Sequence, residues 1–304
     1  MILIALAAMA ATWAGIALER RRRSARLVAQ RMLQVMLYGL VPFVSYVNIA
    51  HLRLTLSSGV GLGLGWATMT VVTLLAWAIG RFSLRLDRRQ LGAVVVSVAI
   101  VNTGYLGNPI VGVLLGAHAL HASVAWDQLV GGPALFVLGF GAGASFGEGG
   151  GRGWRARARL FITRNPPLWA AVAGLLVPAA WAPAPLPEVS RWVVDAMLVT
   201  GFFAAGVYLS AERRADHEPL LQRPDRPTLL VLAMRLLAAP LVLLGLSLLV
   251  VSVPAAYLVQ SLMPTGLNSL IVGHAFRLDQ RLIATVIVWG SASVLLAGLA
   301  LGLR

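Results

Sequence analysis

The feature that most constrains the fold of this chain is a series of ten apolar segments, separated by short gaps that hold most of its charged residues. A transmembrane helix rises about 1.5 Å per residue, so it needs roughly 20 mostly apolar residues to cross the hydrocarbon core of a bilayer. Each segment meets this requirement, some only with tilt or an interruption. We therefore predict ten spans at approximately residues 1–18, 29–50, 57–80, 91–117, 123–146, 167–184, 190–210, 228–251, 254–275 and 282–303.

The least obvious boundary lies within residues 228–276, which are too many for one crossing and contain no charged loop. Pro254 lacks the backbone N–H that would continue a helix, but proline is tolerated in a first helical turn. We therefore predict that one span ends shortly before Pro254 and that the next begins there.

The arginines provide a test of the number of spans. All 25 basic residues are arginine, against 11 acidic residues, and the formal net charge is +14. Arginine accumulates in cytoplasmic loops, and the even-numbered gaps between spans contain only Arg53 and Arg191. The alternation predicts ten helices in a bacterial inner membrane, with both termini outside the cytoplasm. The odd-numbered gaps hold Arg20, Arg21, Arg22, Arg23, Arg26 and Arg31; Arg81, Arg85, Arg88 and Arg89; Arg152, Arg155, Arg157, Arg159 and Arg164; Arg213, Arg214, Arg223 and Arg226; and Arg277 and Arg281.

The composition excludes several classes of protein. With 59% apolar and 12% charged residues, the chain lies outside the range of soluble domains, of which about 25% of residues are charged. A net charge this positive is typical of nucleic-acid-binding proteins, but arginines confined to gaps between spans indicate the lipid bilayer, and not nucleic acid, as the partner. Because the chain contains no cysteine, it has no disulfide, thiol nucleophile or thiolate metal site.

Ten spans with both ends on one face divide into two halves of five spans that have opposite orientations. A Gly- and Arg-rich segment lies between the halves and is typical of a flexible connector. Inverted repeats of this kind characterise secondary transporters, whose sites lie near the bilayer midplane on interrupted helices. The predicted architecture is an all-α polytopic membrane protein with a first repeat at residues 1–146, a cytoplasmic linker at 147–166 and a second repeat at 167–304.

Two predicted spans are interrupted at corresponding places in the two halves. The fourth contains Asn102-Thr103-Gly104-Tyr105-Leu106-Gly107-Asn108-Pro109, and the ninth contains Met263-Pro264-Thr265-Gly266-Leu267-Asn268. Glycine and proline weaken a helix, and lipid offers no partner for the backbone groups that are freed. One interpretation is kinking that serves only helix packing; a matched pair of breaks with three asparagines favours a transport site.

The chemistry of these breaks favours a polar or anionic solute. Half-helices that begin near Pro109 and Pro264 would direct free N–H groups and the positive end of a helix dipole toward the midplane. The carboxamides of Asn102, Asn108 and Asn268 supply both donors and acceptors, so a carboxylate would fit between the breaks.

The first motif, together with Pro264, Thr265, Asn268 and the later Asp279, resembles the auxin efflux carrier family of transporters over essentially the whole chain. The resemblance implies two five-helix repeats in which the fourth and ninth helices cross at their proline breaks around the substrate. It also implies transport of small organic anions, such as dicarboxylates or auxin-like acids. The substrate-binding residues that it implies are Asn102, Gly104, Tyr105, Gly107, Asn108, Pro109, Pro264, Thr265 and Asn268.

Three ionisable residues fall inside predicted spans, where charges are costly and are functional by default. Asp195 and Asp127 are candidates for proton coupling, although both lie near the outer ends of their spans, where solvation at the interface is the competing interpretation. Arg235 lies two turns inside the eighth span, where its side chain would either extend to the cytoplasmic surface or neutralise a substrate carboxylate.

These observations favour a secondary carrier of small organic anions that works by alternating access, with proton coupling or facilitated diffusion preferred over a sodium site. No nucleotide-binding motif, catalytic cluster or metal-ligand cluster is evident, so we predict no cofactor, no metal and no enzymatic activity. The alternatives are a membrane-embedded enzyme and a transport-inactive receptor or scaffold. Residues 143–147 match the Gly-x-Ser-x-Gly pattern of serine hydrolases, but they end an apolar span and have no evident histidine partner. The sequence is compatible with a homodimer.

Overall fold

The computed structural model describes residues 2–22, 24–52, 55–147, 159, 163, 165–215 and 222–302. All regular secondary structure in these residues is helical, apart from an isolated antiparallel bridge between Val101 and Thr265. The linker predicted at residues 147–166 lies for the most part outside the described residues.

The described helices are numbered in chain order, and the 3-10 or π turns that continue a helix are counted as part of it, except the π turn Thr103–Gly107, which is described separately. The helices that begin at Ala117 and at Leu186 are the longest of those described, with 30 residues each, and short π turns interrupt several of the helices. The helices are α1 (Ile2–Arg21), α2 (Ala25–Ala50), α3 (Leu56–Ser83), α4 (Arg88–Ala99), α5 (Asn108–Leu114), α6 (Ala117–Phe146), α7 (Pro166–Leu176), α8 (Leu186–Ala215), α9 (Arg226–Leu249), α10 (Ala255–Ser261), α11 (Asn268–Ala275) and α12 (Gln280–Gly302).

Seven of these helices, namely α1, α2, α3, α6, α8, α9 and α12, are long and apolar enough to cross a membrane. The prediction of an all-α, multi-pass membrane protein is therefore confirmed. The other three predicted spans correspond to shorter pieces: α7 has 11 residues, and the pairs α4–α5 and α10–α11 are each interrupted.

Helix starts follow local sequence signals. Asp87 accepts hydrogen bonds from the backbone N–H groups of the first turn of α4, and Asp225 does the same for α9. Thr55 and Ser58 form a capping box at the start of α3. Pro254 precedes the first residue of α10, so the boundary that the sequence predicted there is confirmed.

The protein is apolar on the outside and contains polar side chains inside, as a bilayer requires. Leu3, Leu248 and Leu249 are about four-fifths exposed, whereas Asn108, Gln260 and other polar residues are fully buried. Exposing this apolar surface to water would cost free energy, whereas contact with lipid tails does not.

Two pairs of helices approach closely through glycine. A Cβ on Gly15 of α1 would fall against the carbonyl of Phe203 in α8, and a Cβ on Gly206 of α8 would fall against the carbonyl of Thr12. Similarly, a Cβ on Gly174 of α7 would lie 2.8 Å from the carbonyl oxygen of Tyr46 in α2. Helices in membranes associate through such small residues, so α1 packs along α8 and α7 packs along α2.

Candidate functional site

Each predicted break is a real interruption of a helix. α4 ends at Ala99 and α5 begins at Asn108, with an extended residue at Ile100 and a π turn at Thr103–Gly107 between them. α10 ends at Ser261, and α11 begins only at Asn268. Both interruptions leave backbone carbonyl and N–H groups without the bonds of a continuous helix, so these groups need other partners.

The two breaks pair with each other and provide part of those partners. The N–H of Asn102 donates to the carbonyl of Pro264 over 2.8 Å, and the N–H of Gly266 donates to the carbonyl of Ile100, also over 2.8 Å. The hydroxyl of Thr265 donates to the carbonyl of Ser97 at 2.7 Å. Residues that are more than 160 positions apart thus form one structural unit, which we call the crossing: residues 100–107 and 262–267.

Gly266 makes this close approach sterically feasible. A Cβ at this position would lie 2.9 Å from the carbonyl oxygen of Val101 and 3.0 Å from its carbonyl carbon. Both atoms belong to the backbone, so neither can rotate away. The crossing therefore needs a residue without a side chain at position 266.

Replacing Thr265 by valine will destabilise the crossing modestly, because valine keeps the shape of threonine but leaves the buried carbonyl of Ser97 without its donor. We expect a melting temperature lower by about 2–4 °C, corresponding to about 1 kcal/mol. Thr200→Val is the matched control, because among the described residues the hydroxyl of Thr200 bonds only to the carbonyl of Ala196 in its own helix. Equal shifts in the two variants would argue against a contribution of the Thr265 bond.

A cavity of about 420 Å³ lies beside the crossing, between α1, α8 and α12. Asn102 and Tyr105 contribute to its wall from the first break, and Leu267 contributes from the second. The remaining wall is mostly apolar, and none of the lining residues carries a charge. It consists of Ala5, Ala8, Met9, Thr12, Trp13, Gly201, Phe202, Ala205, Leu209, Ile287, Val288, Ser291, Ala292, Leu295, Leu296 and Leu299.

Unused hydrogen-bonding groups are concentrated at the crossing side of this cavity. The side chain of Asn102 is buried, with 5% of the residue exposed, yet its carboxamide bonds to no described residue. The hydroxyl of Tyr105 likewise has no partner in the described part of the chain. Leu267, which lines the cavity, and Asn268, the first residue of α11, also have backbone N–H groups that donate to no described residue. A small polar ligand would find several donors here within an apolar wall.

No protein-family model matches the chain. The search of curated proteins also found no match. The resemblance to auxin efflux carriers, which rests on the two motifs of the crossing, stays a prediction.

Asn108 does not line the cavity, but belongs to a buried polar cluster on another side of the first break. Its Oδ1 accepts from the hydroxyl of Ser123 at 2.7 Å and from Nε2 of Gln260 at 3.0 Å. The same Nε2 lies 2.6 Å from Oγ of Ser123 and 3.3 Å from the carbonyl of Thr103. These bonds connect α10 to α5 and α6. In this conformation Asn108 therefore helps to hold the two broken helices together.

Asp127 extends this cluster. Its carboxylate accepts from the hydroxyl of Thr103 and, over 3.0 Å, from the amide of Gln128. The glycines of the first motif fit around these side chains: a Cβ on Gly104 would lie 3.3 Å from the Asp127 carboxylate, and one on Gly107 would fall on the Gln260 amide. Gly104 and Gly107 therefore leave room for polar side chains, a role that the motif alone does not reveal.

The other predicted residues of the site lie away from the cavity wall. Pro109 is buried in the first turn of α5, and Pro264 packs against Gly290 of α12. Asp195 lies half-buried on α8, outside the cavity lining. Arg235 is buried and bonds to carbonyls of the second break, so it does not extend to the surface.

Ser123 and Gln260 were not singled out by the sequence analysis. Gln260 precedes Pro264 by one helical turn, and Ser123 precedes Asp127 by one turn, each within an otherwise apolar stretch. Polar residues one turn from a break or from a buried acid are the signal that could have identified them.

Proposed function

We propose that this protein is a secondary carrier that moves small organic anions across a bacterial inner membrane by alternating access. The observation that carries this proposal is the cavity beside the crossing, which presents within an apolar wall the carboxamide of Asn102, unpaired among the described residues. Interrupted helices that meet at a cavity inside the membrane are typical of the binding sites of secondary transporters.

The helix contacts support an inverted repeat of five plus five spans, and with it membership of the auxin efflux carrier family. If spans one to five correspond to spans six to ten, the contact of α1 with α8 corresponds to that of α7 with α2. Likewise, the contact of α4 with α12 corresponds to that of α10 with α6. The contact of α3 with α9 joins spans three and eight, which are equivalent to each other, so it corresponds to itself. All of these contacts occur, and the crossing also joins equivalent segments of the two halves.

The same contacts suggest how access would alternate. α1, α2, α7 and α8 pack on one another, whereas the pieces α4, α10 and α11 of the broken helices pack among α3, α6, α9 and α12. The cavity lies where the first group, through α1 and α8, faces the crossing and α12. Movement of one group against the other would open the cavity first to one side of the membrane and then to the other.

The groups at the cavity favour an anion over a cation. The carboxamide of Asn102, the hydroxyl of Tyr105 and the N–H groups at the start of α11 are all able to donate, and the positive end of the α11 dipole adds to them. No carboxylate lines the cavity among the described residues. Asp127 and Asp195 are our candidates for proton coupling, and the arginine distribution favours termini outside the cytoplasm.

Replacing Asn102 by alanine tests this site. We expect flux of a transported acid into proteoliposomes to fall by about tenfold or more at low substrate concentration, through a higher KM, because the buried amide bonds directly to the solute. Asn165→Ala is the matched control: the Asn165 side chain caps α7, far from the cavity. The control should keep the flux of the unmodified protein.

A panel of mono- and dicarboxylates, with an organic amine as the negative control, would define the substrate class. Pro264→Ala should also lower flux, because it alters the geometry of the second break. Flux of every acid that stays unchanged in both Asn102→Ala and Pro264→Ala would contradict the proposed site.

A further inference from the structure

Arg235 is a buried cation that the proposed binding site does not use. It lies on the π turn Met234–Ala238 of α9 and is 1% exposed. Its guanidinium donates from Nη2 to the carbonyl of Ser261 at 2.9 Å, and from Nη2 and Nε to the carbonyl of Met263 at 3.0 and 3.2 Å. Nη1 lies 3.4 Å from the sulfur of Met69 on α3.

No carboxylate pairs with this arginine within the described part of the chain. An unpaired charge in a low-dielectric interior is costly, so the surrounding groups must compensate it. The carbonyls of Ser261 and Met263 lie at the C-terminal end of α10, where the helix dipole is negative. This end of a broken helix is thus what stabilises the guanidinium.

The same set of groups is what binds small cations in carriers with interrupted helices. Unwound carbonyls and the C-terminal ends of half-helices coordinate sodium ions or protons there. At the corresponding C-terminal end of α4, the carbonyls of Ser97 and Ile100 accept hydrogen bonds from neutral groups. The donors are the hydroxyl of Thr265 and the N–H of Gly266. Among the described residues, a charged side chain bonds to the helix end of α10 and none bonds to that of α4.

We propose that Arg235 is a tethered cation that occupies a monovalent-cation site at the C-terminal end of α10. The side chain supplies permanently the positive charge that a dissolved sodium or potassium ion would bring to this position. Binding at the neighbouring cavity is then independent of alkali cations. This last consequence rests on the proposed carrier function, whereas the cation site itself does not.

Removing the side chain should uncover the site. In a buffer whose only cation is N-methylglucamine, we expect Arg235→Ala to melt about 5–10 °C below the unmodified protein. Millimolar methylguanidinium, sodium or potassium should recover part of this loss with a saturable dependence on concentration. The unmodified protein, titrated in the same way, should show no such rise, and N-methylglucamine chloride controls for ionic strength.

Arg235→Met and Arg235→Lys separate charge from packing, and they also serve if the alanine variant does not fold. Methionine fills similar space without charge, so this variant should melt low and show no response to added cations. Lysine keeps the charge and should melt higher than the methionine variant. A lysine variant no more stable than the methionine variant would overturn the proposal. So would an alanine variant that no cation stabilises.

Transport gives an independent measurement. Flux by the unmodified protein should be the same in sodium, potassium and N-methylglucamine buffers; a requirement for sodium or potassium would contradict the tethered cation. Cation recovery of Arg235→Ala, combined with no flux of any acid by the unmodified protein, would support the cation site and contradict the carrier function.

Discussion

Replacing Gly266 by alanine will separate the two broken helices and lower the melting temperature by about 10 °C, corresponding to roughly 3–5 kcal/mol. The new Cβ would lie 2.9 Å from the carbonyl oxygen of Val101, a backbone atom that cannot rotate away. The breaks must therefore move apart, which weakens the bonds from Asn102 to Pro264 and from Gly266 to Ile100. Neither water nor lipid replaces these bonds inside the membrane. Thermal unfolding of the purified protein in detergent measures the effect.

Gly245→Ala is the matched control for this experiment. Gly245 lies on α9, and a Cβ there would meet no atom within 4 Å. Alanine favours helix over glycine by about 1 kcal/mol, so the control should be as stable as the unmodified protein or more stable. If both variants lost the same stability, the loss would reflect glycine flexibility in general and not contact at the crossing.

The positions of the helix breaks could be predicted because their cause is local. Pro254, Pro264 and Pro109 each lack the N–H that a helix interior needs, and the glycines nearby add flexibility. The structure interrupts one helix at residues 100–102, just before the π turn that leads to Pro109, and another at residues 262–267 around Pro264; α10 begins immediately after Pro254. Long apolar helices could be predicted equally well, since their length and composition follow from the thickness of the bilayer.

The partners of the polar residues could not be predicted, because they depend on contacts between distant segments. Asn102 and Asn108 look alike in the motif, but Asn102 lines the cavity with a carboxamide that bonds to no residue the structure describes, whereas Asn108 is bonded to Ser123 and Gln260. The five residues between the two asparagines, Thr103–Gly107, form a π turn, so a regular α-helical period does not relate their directions.

The partners of Arg235 could not be predicted from the sequence either. From the sequence, its position two turns inside a span allowed either contact with solvent or contact with a substrate. The structure places its guanidinium on the carbonyls of the second break, which begins 27 positions after it at Leu262. Only the fold of α9 against α10 reveals that the break supplies enough acceptors to hold the charge.

A bulky side chain in the cavity will stop transport without unfolding the protein. Ala292 lies half-buried on α12 and lines the cavity, so the ring of Ala292→Phe has space to enter the volume that we assign to the solute. We expect flux to fall by about a hundredfold, or to the level of empty liposomes, because an occupied site binds no solute. The melting temperature should change by only about 2–4 °C, since the ring fills an existing apolar space.

Ala297→Phe is the control on the same helix. Ala297 is exposed on the outer surface of α12, where a phenylalanine would contact lipid, so flux should equal that of the unmodified protein. Normal flux in Ala292→Phe would show that the solute does not pass through this cavity, even if Asn102→Ala lowers transport. Loss of flux in both variants would indicate that α12 tolerates no bulk anywhere. Loss in Ala292→Phe alone, with the fold intact, would identify the volume between α1, α8, α12 and the crossing as the solute site.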